Sequence, residues 1–144
     1  MDDQQKLQQM INQLNAYKSQ AEALQNQVQA LQTSMAELDV LKKTIDDLQG
    51  KESVESLVPV GAGAFMKAEI KDTSNVVMSI GSGIAVKQSV DEAKKTVDSQ
   101  KEELKDSLDK TLKSLQEVTD VIAQLSPAAE KLMANLQADG QLSN

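Results

Sequence analysis

The residues best suited to chemistry in this chain are its glycines. The stretch Val58-Pro59-Val60-Gly61-Ala62-Gly63-Ala64-Phe65 interrupts long segments of Leu, Gln, Lys, Glu and Asp. A glycine-rich loop can lay backbone N–H groups against a phosphate, but that use needs G-x-x-x-x-G-K-[ST], or G-x-G-x-x-G opening a helix. Neither is present, and Gly61-Ala62-Gly63 runs on into more alternating apolar sequence. The competing use is a tight turn, where glycine takes positive φ without a steric penalty. The context favours the turn.

Other reactive groups are scarce. The chain has no His and no Cys, so the commonest general base and all thiol chemistry are missing. Carboxylates are plentiful, but Asp46-Asp47 and Lys101-Glu102-Glu103 read as solvated helix faces. Asp72 reads as a turn residue and Asp91 as a first-turn helix acid. No spacing suits a metal. We therefore expect no catalytic residue, metal or cofactor, and no enzyme.

Charge narrows the partners. There are 15 Lys+Arg, all of them Lys, against 22 Asp+Glu, a net charge of −7 over 144 residues. An acidic chain without Arg, and with one Tyr and one Phe, is a poor ligand for nucleic acid. No apolar run reaches the ~20 residues that span a bilayer. The opening MDDQQKLQQM is polar and resembles neither a signal nor a transit peptide. A cytoplasmic protein of one domain, with neither nucleic acid nor membrane as partner, is expected.

The turns need elements to position them. Over 4–49, heptad position a reads Leu7, Leu14, Ala21, Val28, Met35 and Lys42, and position d reads Met10, Tyr17, Leu24, Leu31, Leu38 and Ile45. That is a coiled-coil seam, which Gly50 ends. A second helix is predicted over 89–138, opened by the capping pair Ser89 and Glu92. Its seam rows are Val90, Val97, Leu104, Thr111, Val118, Leu125, Leu132 and Lys94, Lys101, Leu108, Leu115, Ile122, Ala129, Leu136. Pro127 lies inside it and should bend it or open one hydrogen bond. Each helix is roughly 70 Å long at 1.5 Å per residue. Such matched helices fold back antiparallel, Leu48 near Val90 and Leu7 near Leu136. Residues 139–144 form a tail.

The middle segment, 54–88, repeats itself. Val58-Pro59-Val60-Gly61-Ala62-Gly63 is echoed by Met78-Ser79-Ile80-Gly81-Ser82-Gly83. We predict strands at 56–60, 64–70, 76–80 and 84–88, paired as two hairpins that turn on Gly61, Gly63, Gly81 and Gly83. The fold class is thus mainly α: a long antiparallel two-helix coiled coil with two central β-hairpins.

Four short strands leave apolar faces and unpaired edges. Either the strands cover each other and the base of the coiled coil, or they pair with strands of other subunits; the second, favoured reading makes Leu57, Val58, Val60, Phe65, Met66, Ala68, Ile70, Val76, Val77, Met78, Ile80, Ile84 and Val86 candidates for subunit assembly. At the opposite end, Leu7, Met10, Ile11, Leu14, Leu132, Met133 and Leu136 offer more apolar surface than a two-helix seam needs. Ordinary seam contacts account for them on periodicity alone. The functional reading is an adaptable apolar patch, for which Met is well suited.

The segment LVPVGAGAFMKAEIKDTSNVVMSIGSGIAVK at 57–87, together with LSPAAEKL at 125–132, closely resembles the alpha-type subunits of archaeal prefoldins. The resemblance implies an ATP-independent chaperone whose hairpins join a double β-barrel platform of two alpha and four prefoldin beta subunits. It implies that coiled-coil tips hold non-native client proteins and deliver them to a group II chaperonin. On it, the strand residues named above become the assembly region, and those near 7–14 and 132–136 the client contacts. The runner-up is a structural coiled-coil tether without client binding.

Overall fold

The computed structural model describes residues 2–140. The part of the expected tail beyond Gly140 lies outside them. In chain order the elements are α1 (Asp3–Leu48), β1 (Val54–Gly61), β2 (Ala64–Ile70), β3 (Asn75–Gly81), β4 (Ile84–Ser89) and α2 (Val90–Ala138). Two long helices thus flank two antiparallel hairpins, β1–β2 and β3–β4, each a separate two-stranded sheet.

The helix ends are capped by side chains. At α1 the Gln5 N–H donates to Asp2 Oδ1 (2.8 Å), and the Asp2 N–H donates back to Gln5 Oε1 (3.3 Å). This reciprocal pair is a capping box with Asp in the Ser/Thr position. At α2 the Glu92 N–H donates to Ser89 Oγ (3.2 Å). Gly50, at φ +84, follows the end of α1. The second helix runs unbroken through Pro127, where the ring removes the one N–H that would reach the Ala123 carbonyl.

The chain divides into two compact units, Thr33–Lys105 and the remainder. In Thr33–Lys105, Ile45, Met78, Val90, Ala93 and Val97 form a buried cluster, with Leu38, Leu41 and Val76 packed against it. The core therefore joins α1, β3 and α2. Three ion pairs cross between the helices: Lys42 to Asp98 (2.8 Å), Lys94 to Asp46 (2.6 Å), and Lys101 to Asp39. Moving up α1 from 39 to 42 to 46, the partners move down α2 by the same steps. This is antiparallel pairing in one register. Lys42, Lys94 and Lys101 occupy seam positions, yet each lays its stem in the seam and brings its ammonium to an Asp of the other helix. All three pairs are exposed, so each adds little to the stability of the fold.

In the other unit, Leu7, Leu14, Ala129 and Leu136 form a second buried cluster, with Met10, Ile11, Ile122, Leu125 and Leu132 around it. The first turns of α1 here meet the last turns of α2. Thr111 is also buried, and its hydroxyl donates to the Ser107 carbonyl (2.8 Å), so the seam holds no orphaned polar group there.

The link between the hairpins is a side-chain turn. Asp72 accepts from the Ser74 N–H (3.0 Å) and from Asn75 Nδ2 (3.2 Å), and Lys87 Nζ lies 4.0 Å away. These contacts, the Asn75 amide first and the Ser74 N–H next, hold the Asp72 carboxyl below its usual range. A depressed folded-state pKa stabilises the fold above the unfolded-state value, and that stability is lost as pH falls through the folded-state value. Asp72→Asn keeps an acceptor but loses the charge. The gap in thermal midpoint between it and the parent chain is expected to be full at neutral pH and to close on acidification below the ordinary carboxylate range. A gap independent of pH would contradict this account.

Candidate functional site

The hairpins are built on one plan. In the first, Val54 pairs with Ile70, Val58 with Met66 and Pro59 with Phe65, and the register then slips so that Gly61 pairs with Ala64. In the second, Met78 pairs with Val86 and Ser79 with Ala85 before the same slip to Gly81 and Ile84. Both central turn residues have positive φ, Ala62 at +50 and Gly63 at +78, as a type I′ turn requires. The preceding bulge residue Gly61 sits at +115, and Ser82 repeats Ala62 at +53. A Cβ at Gly61 would meet no atom within 4 Å, so substitution there strains the backbone alone. Gly61→Ala is expected to destabilise the first hairpin by about 1–2 kcal/mol. Ala62→Asn should stabilise it by several tenths of that, because Asn tolerates the left-handed region. Thermal unfolding of the two variants measures both effects.

Strand alternation divides the apolar residues between two surfaces. Val76, Met78 and Val86 share a face, and at its base Met78 is only 6% exposed, packed with Ile45, Val90, Ala93 and Val97. Met78 thus belongs to the chain's own core. Val76 and Val86 are half-buried, as is Ala68. The remaining assembly candidates are exposed: Val77 at 70%, Leu57, Val58, Val60, Phe65, Met66, Ile70, Ile80 and Ile84. A hollow of about 280 Å³ lies beside them, lined by Leu41, Ile45 and Leu48 of α1 and by Ile70, Val76 and Val77. Exposed aliphatic residues next to an open strand edge attract another strand.

At the end where α1 begins and α2 finishes, the client candidates separate in the same way. Leu7, Leu14 and Leu136 are buried, Leu136 at 1% exposure. Their side chains fill the seam and leave almost no surface exposed. Met10, Ile11 and Leu132 are half-buried, and Met133 is exposed. These four form the apolar surface presented at this end.

A helix pair carrying two matched hairpins with bare apolar faces has the build of a subunit made for assembly. The comparisons agree. A family model described as "Prefoldin subunit" matches residues 17–135. The prefoldin subunit alpha of Methanobrevibacter smithii is 51% identical over 139 residues, covering 96% of this chain and 95% of its own. That of Methanosphaera stadtmanae is 33% identical, covering 92% and 96%. A cryo-EM structure of filamentous PFD from Methanocaldococcus jannaschii superposes with a TM-score of 0.55 at 28% identity, covering 86% of this chain and 98% of that one.

The chain belongs to the prefoldin family. Its relatives are alpha-type subunits, components of chaperones that act as assemblies of prefoldin subunits. Among the described residues, no helix is long and apolar enough to cross a membrane.

Proposed function

We propose that this chain is a subunit of an ATP-independent holdase working in the cytoplasm. Its hairpins join prefoldin beta subunits, two alpha with four beta, in a β-barrel platform. Its coiled-coil end binds non-native proteins and delivers them to a group II chaperonin. The observation that carries this reading is the contrast between a filled helix seam and the bare apolar faces of both hairpins. One helix end presents little area and binds weakly. Several ends on one platform act at high effective concentration, so weak contacts sum to useful avidity. Weak individual contacts also allow release without a nucleotide. A net charge of −7 helps keep such an assembly soluble while it displays apolar ends.

Burial of Leu7, Leu14 and Leu136 favours a second reading, a structural tether that binds no client. Trimming the first turns of α1 with the last turns of α2 separates the two. A holdase loses client holding and keeps its native mass with its partner subunit. A tether has no holding to lose.

A further inference from the structure

The two hairpins share a register and a bulge, displaced by a constant step that takes Glu55 to Asn75 and Glu69 to Ser89. Only one of them is anchored to the helices. Met78 of the second hairpin lies in the buried cluster with Ile45, Val90, Ala93 and Val97, and Val76 packs against it. Val58, which holds the place of Met78 in the first hairpin, is 45% exposed. Among the described residues, none of β1 or β2 belongs to either buried cluster. Within those two strands only Val54, Ser56 and Ala68 are even half-buried. An element with so little buried surface moves at low cost in free energy.

Two links, 49–53 and 71–74, join the first hairpin to the rest of the chain. Each is held on its helix side. The Lys51 N–H donates to the Leu48 carbonyl at the end of α1 (3.2 Å), and the Val90 N–H at the start of α2 donates to the Ser74 carbonyl (3.0 Å). Between these anchored points, the Thr73 hydroxyl donates to the Lys51 carbonyl (2.6 Å) and so laces one link to the other. Glu52, Ser53 and Lys71 lie on the hairpin side of that bond, exposed and outside any helix or strand. The hollow of about 280 Å³ adjoins the same place: Thr73 and the β2 end residue Ile70 line it with Leu41, Ile45 and Leu48 of α1. Apolar walls that stand apart forfeit contacts that closing would restore.

We propose that the first hairpin is an arm that pivots as an intact pair of strands at residues 52–53 and 71, and that the Thr73 hydroxyl is the latch that holds it in the described position. With the latch released, the arm brings Ile70 onto Leu41 and Leu48 and closes the hollow. Thr73 is a positioning residue. It sets the angle of the hairpin and leaves the pairing of its strands alone. The second hairpin cannot follow, because Met78 fixes it to both helices.

The test measures the distance between the arm and α1 by electron–electron resonance on the full chain. Because the chain has no Cys, Lys43→Cys on α1 with Lys67→Cys on β2 gives two unique sites for spin labels, both exposed. In this labelled background Thr73→Val keeps the branched shape and removes the donor, whereas Thr73→Ser keeps the donor. The labelled parent and Thr73→Ser should each give one narrow distance distribution. Thr73→Val should broaden it and add a second, shorter population. Amide exchange within β1 and β2 should be the same in all three. Adding Ile70→Ser to Thr73→Val should remove the shorter population. A Thr73→Val distribution that matches the parent, or a Thr73→Ser distribution that matches Thr73→Val, would overturn the latch. Faster exchange throughout β1 and β2 in Thr73→Val would overturn the intact arm. A shorter population that survives Ile70→Ser would overturn closure over the hollow.

Discussion

Met78→Asp is expected to cost the isolated chain on the order of 3–5 kcal/mol, and Val77→Asp beside it close to nothing. The two residues are neighbours on β3 with opposite fates: Met78 is 6% exposed and Val77 is 70% exposed. A carboxylate at position 78 would enter a pocket walled by Ile45, Val90, Ala93 and Val97. It would find no cation there, and burying an unpaired charge is among the most destabilising of substitutions. Against a total stability of about 5–15 kcal/mol, the loss should free β3–β4 from the helices. At position 77 the same carboxylate stays in water while the chain is alone. It becomes buried only when a partner covers that face. Val77→Asp should therefore abolish assembly without changing the unfolding midpoint of the isolated chain. Urea unfolding and native mass spectrometry on both variants give the four readings needed. Equal destabilisation by the two would contradict the division between core and assembly surface.

The second large effect is expected where α1 begins and α2 ends. Met10→Ser, Ile11→Ser and Met133→Ser together should reduce client holding several-fold while leaving native mass unchanged. They remove exposed and half-exposed apolar surface and leave Leu7, Leu14, Ala129 and Leu136 unchanged, at some local cost because Met10 and Ile11 also pack against that cluster. Leu136→Ala acts differently. Its side chain is 1% exposed, so truncation opens a cavity and costs about 2–5 kcal/mol of local stability. The helix ends should then fray, and amide exchange there should quicken. Any loss of holding in Leu136→Ala should track that fraying, whereas in the triple Ser variant it should exceed what the change in exchange accounts for. Holding that survives the triple Ser variant would remove this end of the coiled coil from the client account.

Local pattern shows the helices well and the packing between segments poorly. Every seam residue from Leu7 to Ile45 is buried or half-buried, because a repeat every three and four residues must place them on one stripe. Lys42, Lys94 and Lys101 look like breaks in that stripe. The structure shows why they are tolerated: each charge leaves the seam to meet an Asp on the other helix. Ala93 is fully buried and lies in neither seam row. It packs in one cluster with Ile45 of α1 and Met78 of β3, a contact that no window of local sequence encodes. The same holds for Met78, since alternation says that Val77 and Met78 face opposite ways but not which of them meets the helices. The G-x-G echo marks both turns, yet it conceals that Ala62 and Ser82 are left-handed too. Asp2 and Gln5 keep the spacing of a capping box with Asp and Gln in its two places.

The most direct test of the account is light scattering from a chemically unfolded client diluted into buffer without ATP, in the presence of this chain assembled with its natural partner subunit. The account predicts suppressed aggregation, lost on trimming the helix ends and retained in the absence of nucleotide. Undiminished aggregation in the presence of a correctly assembled complex would contradict it and leave the hairpin platform as a structural hub.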